Sequence, residues 1–353
     1  MLRRKVNRAS LRFSVLCLAG VLAALPAYAE ELPKLGIASA ETSVSGLSSG
    51  AYMAGQIEVA HSKDIVGAGI VAGGPFACAE TESSQLFPYW PVVMWQNATQ
   101  ATNACMKVDW GAPDADKLAK RAKELAEDGK IDDLAGLADD KVYLFSGNED
   151  ETVQRPVVEA TKRFYEEVGV PRANLTLVET EGGHGFLTKT QGTACGLSKE
   201  PYVNDCDYDQ AKAILEWIYG SPLADPSPSA TGKFIVFDQS AFNKGVTSGL
   251  AVEGVVYVPT DCESQPGCRL HILLHGCDQA RETVGDVFIK ESGFAEYADT
   301  NRLVILYPQI AGSTVNPHGC WDWWGYTDID YLDKDAPQIR AIWDMAGRLA
   351  MPP

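Results

Sequence analysis

The amino-acid sequence predicts an α/β fold built on a doubly wound, mostly parallel sheet. Apolar runs alternate with helix-compatible segments over residues 42–219, which is the pattern of strands joined by helical crossovers. One of these runs, residues 65–72, is apolar throughout and precedes two glycines, as expected for a strand buried on both faces of a parallel sheet. A Gly-Leu-Ser-Ser-Gly turn at residues 46–50 joins a strand pattern to a helix pattern.

The chain begins with a pattern that predicts a signal peptide over residues 1–29. Five basic residues precede an apolar run at 13–25, and Ala27-Tyr28-Ala29 supplies a small-x-small cleavage site, so we expect cleavage before Glu30. The alternative is a membrane anchor, but the apolar run is shorter than the ~20 residues that span a bilayer. The expected location is therefore periplasmic or extracellular.

The charge of the chain limits its partners. The net charge is −17, and removal of five basic and no acidic residues with the signal peptide leaves −22 on the remaining 324 residues. Such a surface repels nucleic acid and anionic lipid and favours a neutral or apolar substrate. We expect no nucleic-acid or membrane partner, and a monomer is favoured.

The cysteines indicate an exported, disulfide-bonded protein. Eight remain after Cys17 leaves with the signal peptide, and none forms a CxxC pair. Closely spaced Cys/His ligand pairs are missing, so disulfides are favoured over a zinc site and no metal or cofactor is predicted. The sequence alone does not fix the pairing. We predict that neighbours in the chain pair in order: Cys78 with Cys105, Cys195 with Cys206, Cys262 with Cys268, and Cys277 with Cys320.

The first half of the chain follows a strand–helix order. Residues 77–110 interrupt it, because they are rich in aromatic residues and loop-like; we expect ordinary packing there, or else a cover near the active site. Residues 114–137 are helical and highly charged, as is typical of a solvated face. The predicted strands are 42–47, 65–72, 141–147 and 174–180, and the other predicted helices are 51–60, 156–168 and 208–219.

Residues 220–232 are rich in proline, glycine and serine and have the composition of a linker. They either separate two domains or join two parts of one sheet, and we favour one catalytic domain over residues 30–353. The segments that follow are predicted as strands at 233–237, 254–258, 270–274 and 303–307 and a last helix at 336–349.

Three residues with complementary chemistry follow three of the predicted strands: Ser48, Asp150 and His184. The loops at the carboxyl ends of parallel strands converge, so we expect these side chains to meet. A serine hydroxyl needs an imidazole to take its proton, and the imidazole needs a carboxylate to orient it. Ser, Asp, His is also the chain order of α/β-hydrolases, in which the serine occupies a Gly-x-Ser-x-Gly turn. Alone, a Gly/Ser-rich stretch such as residues 46–50 is more often only a turn than a nucleophile elbow.

Each of these assignments has a competitor. His184 is preferred among five histidines because it lies in a glycine-rich turn directly after a strand, although an exposed loop histidine needs no catalytic reason. Asp150 is preferred over Glu149 because Thr152 and Val153 follow it, but either carboxylate can orient an imidazole. A serine hydrolase also needs two backbone N–H groups for the oxyanion, the first of which is expected from Ser49.

The second N–H group is expected from a His-Gly loop, here His275-Gly276-Cys277, with Cys277 as the donor. Such a loop normally precedes the serine, whereas this one follows it by about 230 residues. Joining the end of the chain to its beginning restores the usual order. The sequence therefore predicts a circular permutation, which α/β proteins tolerate when their termini are close and exposed.

Five motifs together resemble the circularly permuted poly(3-hydroxybutyrate) depolymerases: residues 46–53, 142–147, 183–185, 273–277 and 319–326. The resemblance covers essentially all of residues 30–353. It implies a permuted α/β-hydrolase that cleaves polyester or oligomer ester bonds through an acyl-enzyme. Ser48 is then the nucleophile, His184 the base and Asp150 its orienting acid, with Ser49 and Cys277 as the oxyanion hole. Substrate-binding roles fall on His275, Trp321, Trp323 and Trp324; core packing is the alternative for each tryptophan.

Two other functions stay open at this point. A secreted carboxylesterase of another class, such as a feruloyl or acetyl-xylan esterase, uses the same turn and triad. A non-catalytic polymer-binding protein on a hydrolase scaffold is the second alternative. The family commonly carries a separate polymer-binding domain, and we expect none in this sequence.

Overall fold

A computed structural model describes residues 29–81, 89–220, 222–243 and 248–353. The predicted signal peptide lies outside the described residues except for Ala29. The strands are β1 Thr42–Leu47, β2 Ile65–Val71, β3 Lys141–Gly147, β4 Leu175–Thr180, β5 Phe186–Thr188, β6 Thr193–Ala194, β7 Val203–Asp205, β8 Lys233–Asp238, β9 Glu253–Val258, β10 Arg269–Leu274 and β11 Leu303–Tyr307.

The helices follow the strands in the expected alternation, with three short ones after β10. They are α1 Ser49–Ala60, α2 Trp90–Gln100, α3 Ala115–Glu127, α4 Arg155–Glu167, α5 Gln210–Tyr219, α6 Arg281–Val284, α7 Val287–Glu291, α8 Phe294–Asn301 and α9 Pro337–Ala350. A π-helical segment, Ala101–Met106, continues α2, and a 3-10 segment occupies Leu134–Asp139.

Eight of the strands form one sheet, in the order β4-β3-β2-β1-β10-β11-β9-β8. All neighbours are parallel except that β9 runs antiparallel to both β8 and β11. Strands from both sides of residues 220–232 therefore belong to the same sheet. This agrees with the mostly parallel α/β sheet that the sequence predicts.

The strand order agrees with the predicted permutation. The eight strands can be renumbered in chain order from β8, with β1 following β11. Read across the sheet from β8 to β4, their order is then 1-2-4-3-5-6-7-8. In that count β10 is the third strand and β1 the fifth. The His-Gly loop then follows the third strand, which is where hydrolases of this fold place their second oxyanion donor.

Helices cover both faces of the sheet. A Cβ atom on Gly69 of β2 would lie 2.9 Å from a methyl group of Ile214 in α5, whereas Gly55 of α1 faces the next β2 residue, Ile70, at 3.7 Å. Because successive residues of a strand point to opposite faces, α1 and α5 lie on opposite sides. β1 and β11 are buried along their whole length.

All four disulfides pair as predicted: Cys78 with Cys105, Cys195 with Cys206, Cys262 with Cys268, and Cys277 with Cys320. The second of them braces the three-stranded sheet β5-β7-β6, which the sequence does not predict. No helix among the described residues combines the length and the apolar composition needed to cross a bilayer.

Two expectations about secondary structure are wrong. Residues 77–110 contain α2 and its π-helical continuation rather than loop alone, and residues 114–137 form a helix only as far as Glu127. Gly129 has a φ of 72°, a left-handed conformation that ends the helical segment. The chain then continues to the 3-10 segment.

Candidate active site

Ser48 lies in the turn between β1 and α1. Its φ is 56° and its ψ is −121°, a positive φ that residues other than glycine rarely adopt. A Cβ atom on Gly46 would lie 2.3 Å from the carbonyl oxygen of Gly50, and one on Gly50 would lie 2.3 Å from that of Leu274. Close backbone approach thus requires glycine at both positions. This strained strand-to-helix turn has the form of a nucleophile elbow.

Asp150 and His184 meet at the same edge of the sheet. Asp150 follows β3, and its Oδ2 lies 2.8 Å from Nδ1 of His184, which follows β4. The other carboxylate oxygen, Oδ1, accepts the backbone N–H groups of Thr152 at 2.8 Å and Val153 at 3.0 Å. With Nδ1–H donated to Asp150, Nε2 of His184 is left as the acceptor. This is the tautomer that a general base needs.

Glu149, the competing carboxylate, points elsewhere. A Cβ atom on Gly196 would lie 2.0 Å from its Oε2, so the Glu149 side chain lies over Gly196 and is exposed. The Asp150 side chain is only 1% exposed. The geometry therefore selects Asp150 as the partner of His184.

The displaced His-Gly loop lies beside Ser48. Leu274 at the end of β10 is paired in register with Gly46 of β1, so both turns leave the sheet side by side. A Cβ atom on Gly276 would lie 3.4 Å from the Ser48 Cβ atom. Within the described part of the chain, the backbone N–H groups of Ser49 and Cys277 have no intramolecular acceptor. Both are thus available to an oxyanion formed at Ser48.

Gln279 fixes the His-Gly loop, His275-Gly276-Cys277, through its side-chain amide. Its Oε1 accepts the backbone N–H of Gly276 at 2.7 Å. Its Nε2 donates to the carbonyl oxygens of Pro201 at 2.9 Å and Tyr202 at 3.0 Å. Gln279 is 1% exposed, so water does not replace these bonds. Gln279 was not predicted from the sequence, because a glutamine in a loop has no distinguishing pattern.

His275 lies behind the loop and does not line the cavity, so a direct substrate-binding role for it is wrong. It is 1% exposed, its Nδ1 lies 2.7 Å from the Gly276 carbonyl oxygen, and its Nε2 accepts the Ile310 N–H at 3.2 Å. Burial lowers the pKa of His275 to about 4. The ring is therefore neutral at pH 7, donates from Nδ1 and holds the Gly276 peptide.

A cavity of 430 Å³ opens above these groups. Its lining includes Ser48, His184, Cys277, Trp323 and Trp324. The lining also includes Asp278, Ala98, Thr102, Tyr202 and His318. The wall is largely apolar and aromatic, with the polar groups gathered near Ser48. This is the usual composition of a small-molecule site.

A buried carboxylate shapes the tryptophan wall. Asp322 accepts the backbone N–H groups of Gly325 at 2.7 Å, Tyr326 at 2.9 Å and Thr327 at 2.9 Å. Burial raises the pKa of Asp322, while these hydrogen bonds act in the opposite direction. The backbone thus folds around the carboxylate and presents Trp323 and Trp324 to the cavity.

Comparison with known proteins finds relatives that all carry the name of one enzyme family. A search of family models found no match. The chain is 39% identical over 328 residues to a poly(3-hydroxybutyrate) depolymerase of Delftia acidovorans, covering 91% of this chain and 62% of that protein. It is 35% identical over 338 residues to a polyhydroxybutyrate depolymerase of Talaromyces funiculosus, covering 91% of this chain and 93% of that protein.

The chain belongs to the poly(3-hydroxybutyrate) depolymerase family. Two solved structures agree, each with a TM-score of 0.79 and coverage of 91% of this chain and 100% of the other. One is a PHB depolymerase from Penicillium funiculosum, 31% identical. The other, 32% identical, is a serine-to-alanine variant of a PHB depolymerase complexed with an R3HB trimer. The chain spans 62% of the length of the Delftia relative.

The three tryptophans that were predicted to bind substrate in this depolymerase-family chain divide into two groups. Trp323 and Trp324 line the cavity, as expected. Trp321 does not: it is 0% exposed and packs against the His275 ring, with centroids 5.4 Å apart. The expectation that Trp321 contacts substrate is therefore wrong, and core packing, the alternative, describes it.

Two groups of potential metal ligands occur in the described residues, both away from the cavity. Two clusters bring three ligand atoms within 4.8 Å of one another. In one of them Cys262 and Cys268 are bonded to each other. In the other, Asp132 joins His61 and Asp64, and its Oδ1 already lies 3.4 Å from the ammonium of Lys334. Neither cluster includes a residue of the cavity.

Proposed function

We propose that this protein is a serine esterase that hydrolyses ester bonds of poly(3-hydroxybutyrate) or its oligomers. One observation carries the proposal: Ser48 in its strained turn, His184 with its Asp150 partner, and Cys277 of the His-Gly loop meet at one cavity. Ser48 is the proposed nucleophile, His184 the general base and Asp150 its orienting acid. Ser49 and Cys277 donate to the oxyanion.

In the first half of the reaction, Ser48 Oγ attacks the ester carbonyl carbon and its proton passes to Nε2 of His184. Negative charge develops on the carbonyl oxygen, which accepts hydrogen bonds from the N–H groups of Ser49 and Cys277. The C–O ester bond then breaks. His184 gives its proton to the departing alkoxide, which leaves as the free hydroxyl end of the shortened chain, and the 3-hydroxyacyl group stays on Ser48.

In the second half, His184 takes a proton from water, and the hydroxide oxygen attacks the acyl carbonyl. The same two N–H groups bind the second oxyanion. Collapse of this intermediate breaks the bond to Ser48, which recovers its proton from His184 and releases the 3-hydroxy acid.

The lining of the cavity favours a neutral polyester over an acid. Within the described residues it contains one carboxylate, Asp278, and no lysine or arginine. His318 pairs with Asp278 at 2.9 Å. A polyester is uncharged along its length, whereas each hydrolysis creates a carboxylate that Asp278 repels. The negative charge of Asp278 therefore does not oppose binding of the neutral substrate, but it disfavours retention of the carboxylate product.

We further propose that the protein is exported and acts as a monomer, with residues 30–353 forming one catalytic domain. Export is supported by the sequence pattern of residues 1–29 and by four disulfides, which persist in oxidising compartments. The one-domain proposal is supported by the shared sheet on both sides of residues 220–232. The proposal includes no cofactor.

The test is hydrolysis of a hydroxybutyrate trimer by the wild-type protein and by Ser48→Ala. We expect the wild type to release 3-hydroxybutyrate and the variant to lose about 10³-fold or more in kcat, as other triad serines do. Ser45→Ala, three residues earlier in β1, is the matched control for substitution of a buried serine near the turn. Full turnover by Ser48→Ala would contradict the mechanism.

The same assay separates the competing esterases. A protein that cleaves methyl ferulate but releases no hydroxybutyrate from the trimer would be a carboxylesterase of another class. Labelling by a fluorophosphonate probe addresses the non-catalytic alternative. Wild-type protein is expected to label at Ser48, and absence of labelling would favour a binding protein.

A further inference from the structure

Asp278 places a negative charge in the active-site cavity. Among the described residues it is the one carboxylate of the cavity lining, and no lysine or arginine accompanies it there. It directly follows Cys277, the proposed oxyanion donor, and consecutive Cα atoms lie about 3.8 Å apart. The Asp278 side chain is 32% exposed. The charge is therefore partly shielded from water and lies next to the residue that binds the oxyanion.

Three links to the loop at residues 311–320 fix the place of this carboxylate. The Asp278 backbone N–H donates to the His318 carbonyl oxygen at 2.7 Å. The carboxylate oxygens lie 3.1 and 2.9 Å from Nδ1 of His318, and the neighbouring Cys277 is bonded to Cys320. A neutral imidazole that donates from Nδ1 orients the Asp278 carboxylate without cancelling its charge.

The field of Asp278 extends across the cavity to the side of the general base. Burial first, and then the negative charge of Asp278, raise the pKa of Tyr202. Tyr202 lines the cavity and lies edge-on to the His184 ring, with ring centroids 6.1 Å apart. A charged group of the substrate that binds between Ser48 and Tyr202 therefore interacts with the Asp278 charge as well.

A hydroxybutyrate chain carries its charge at its carboxyl end. In the proposed reaction, the part of the chain that leaves as the alkoxide ends in this carboxylate, whereas the part that stays on Ser48 ends in a neutral hydroxyl. The carboxylate of a trimer lies within two residues of either ester bond, so it enters the cavity or its mouth. In a long chain that is cut internally, the carboxylate stays outside. Repulsion by Asp278 therefore depends on the distance between the cut and the carboxylate end.

We propose that Asp278 is a specificity-determining residue that directs cleavage to ester bonds remote from the free carboxylate end of a chain. The inference rests on the proposed function. The negative charge of Asp278 leaves the internal bonds of a neutral polyester unaffected, and it disfavours a leaving part whose carboxylate lies within the cavity. Short acid fragments are therefore released instead of being cut further. A trimer is cut first at the bond nearer its hydroxyl end.

The experiment compares the trimer as the free acid with the trimer carboxamide, which has the same ester bonds and no charge. The variant is Asp278→Asn. Asparagine has the same size, still accepts a hydrogen bond from His318 and tolerates the left-handed φ of 54° at this position. Glu127→Gln is the matched control, because it removes one negative charge from an exposed residue at the end of α3, outside the cavity lining.

We expect wild-type kcat/KM at low salt to be about fivefold higher for the carboxamide than for the acid, the upper range for charge pairs in contact with water. This ratio should approach one in Asp278→Asn, mainly through a rise for the acid. It should also approach one in the wild type at about 1 M salt, where the Debye length is about 3 Å. Glu127→Gln should keep the wild-type ratio, and fluorophosphonate labelling of Ser48 establishes that each variant is folded.

The position of the cut is measured with a trimer that carries ¹³C in its carboxyl-terminal residue. The wild type should release the label first in the dimer, because the bond nearer the hydroxyl end is cut. Asp278→Asn should release a larger share of the label directly in the monomer. An unchanged share in this variant would contradict the proposal.

Three further results would overturn the inference. Equal kcat/KM for acid and carboxamide in the wild type would show that the site does not discriminate by charge. A wild-type ratio in Asp278→Asn would show that another group causes the preference. An equal change in Glu127→Gln and Asp278→Asn would assign the preference to the net charge of the protein. If the wild type cleaves neither trimer, the proposed function itself fails, which distinguishes the two failures.

Discussion

Replacement of Gln279 by leucine should disable the oxyanion loop while leaving the triad in place. Leucine has a similar size but cannot accept the Gly276 N–H or donate to the carbonyl oxygens of Pro201 and Tyr202, so all three hydrogen bonds are lost. The site is buried, and an unpaired donor there costs about 1–3 kcal/mol. The Gly276–Cys277 segment can relieve this cost by rotating, which turns the Cys277 N–H away from Ser48.

The expected size of the effect follows from the proposed role of the Cys277 N–H as an oxyanion donor. Loss of one oxyanion donor lowers kcat by about 10²–10³-fold in other hydrolases. The His275 bonds and the Cys277–Cys320 disulfide still hold the loop, so we expect a smaller fall, of about 10–10²-fold. The KM for trimer should change little, because the bonds to the oxyanion strengthen only in the transition state.

Gln279→Glu distinguishes positioning from simple folding. A carboxylate at this position still accepts the Gly276 N–H but faces two carbonyl oxygens without a proton to donate. Protonation restores one donor, so the activity of the variant relative to wild type should rise as the pH is lowered. Gln279→Leu should show no such rise, because leucine does not titrate.

The assay is steady-state hydrolysis of the trimer across a pH series, with thermal unfolding of each variant as the control for folding. Wild-type kcat in a folded Gln279→Leu protein would refute the argument. So would an equal loss in Gln279→Leu and Gln279→Glu at every pH, since that pattern reports only a disturbed loop.

Three further predictions test other parts of the molecule. Asp322→Asn keeps the size of the side chain but not its full acceptor capacity, so we expect a several-fold rise in KM for trimer with a smaller change in kcat; the opposite split would contradict its role in shaping the wall. Burial raises the pKa of Asp140 to about 8, and also raises that of the neighbouring Glu58. The native state therefore binds more protons than the unfolded state between about pH 4 and pH 8, and the free energy of unfolding should fall with rising pH by up to about 1.4 kcal/mol per pH unit for each of the two carboxyls. Denaturant unfolding of Glu58→Gln should show a shallower fall of the unfolding free energy with rising pH. An unchanged slope would show that Asp140 and Glu58 do not cause the pH dependence. The double variant Cys277→Ser/Cys320→Ser should lose about 2–4 kcal/mol of stability together with activity, and unchanged kcat would show that the disulfide does not position the loop.

The sheet was predictable because its strands are marked by local pattern. Residues 42–47 and 141–147 were predicted with the bounds that β1 and β3 have, since buried parallel strands are continuous apolar runs between turn residues. The permutation followed from the order of two motifs. β9, which runs antiparallel to its neighbours, has no such marker, because strand direction depends on connections and not on composition.

The helix α2 was not predictable for a physical reason. Its sequence lacks the alternation of apolar and charged faces by which helices are recognised. Contacts outside the helix hold it: the buried Asn97 side chain accepts the backbone N–H of Thr81 at 3.1 Å, and the following segment is tied to Cys78 through Cys105. Tertiary bonds of this kind leave no periodic trace in the sequence.

The same distinction explains the candidate site. Ser48, Asp150 and His184 were found together because each follows a strand, and the topology of a parallel sheet brings those positions to one edge. Trp321 and Trp323 are two residues apart and were predicted to act alike, yet the first is buried in the core and the second lines the cavity. Their surroundings are decided by how the backbone folds around the Asp322 carboxylate, a set of loop hydrogen bonds with no regular period. Residues whose roles derive from sheet topology are therefore readable from sequence, whereas residues that orient a loop, such as Gln279 and Asp322, become visible only through their hydrogen bonds.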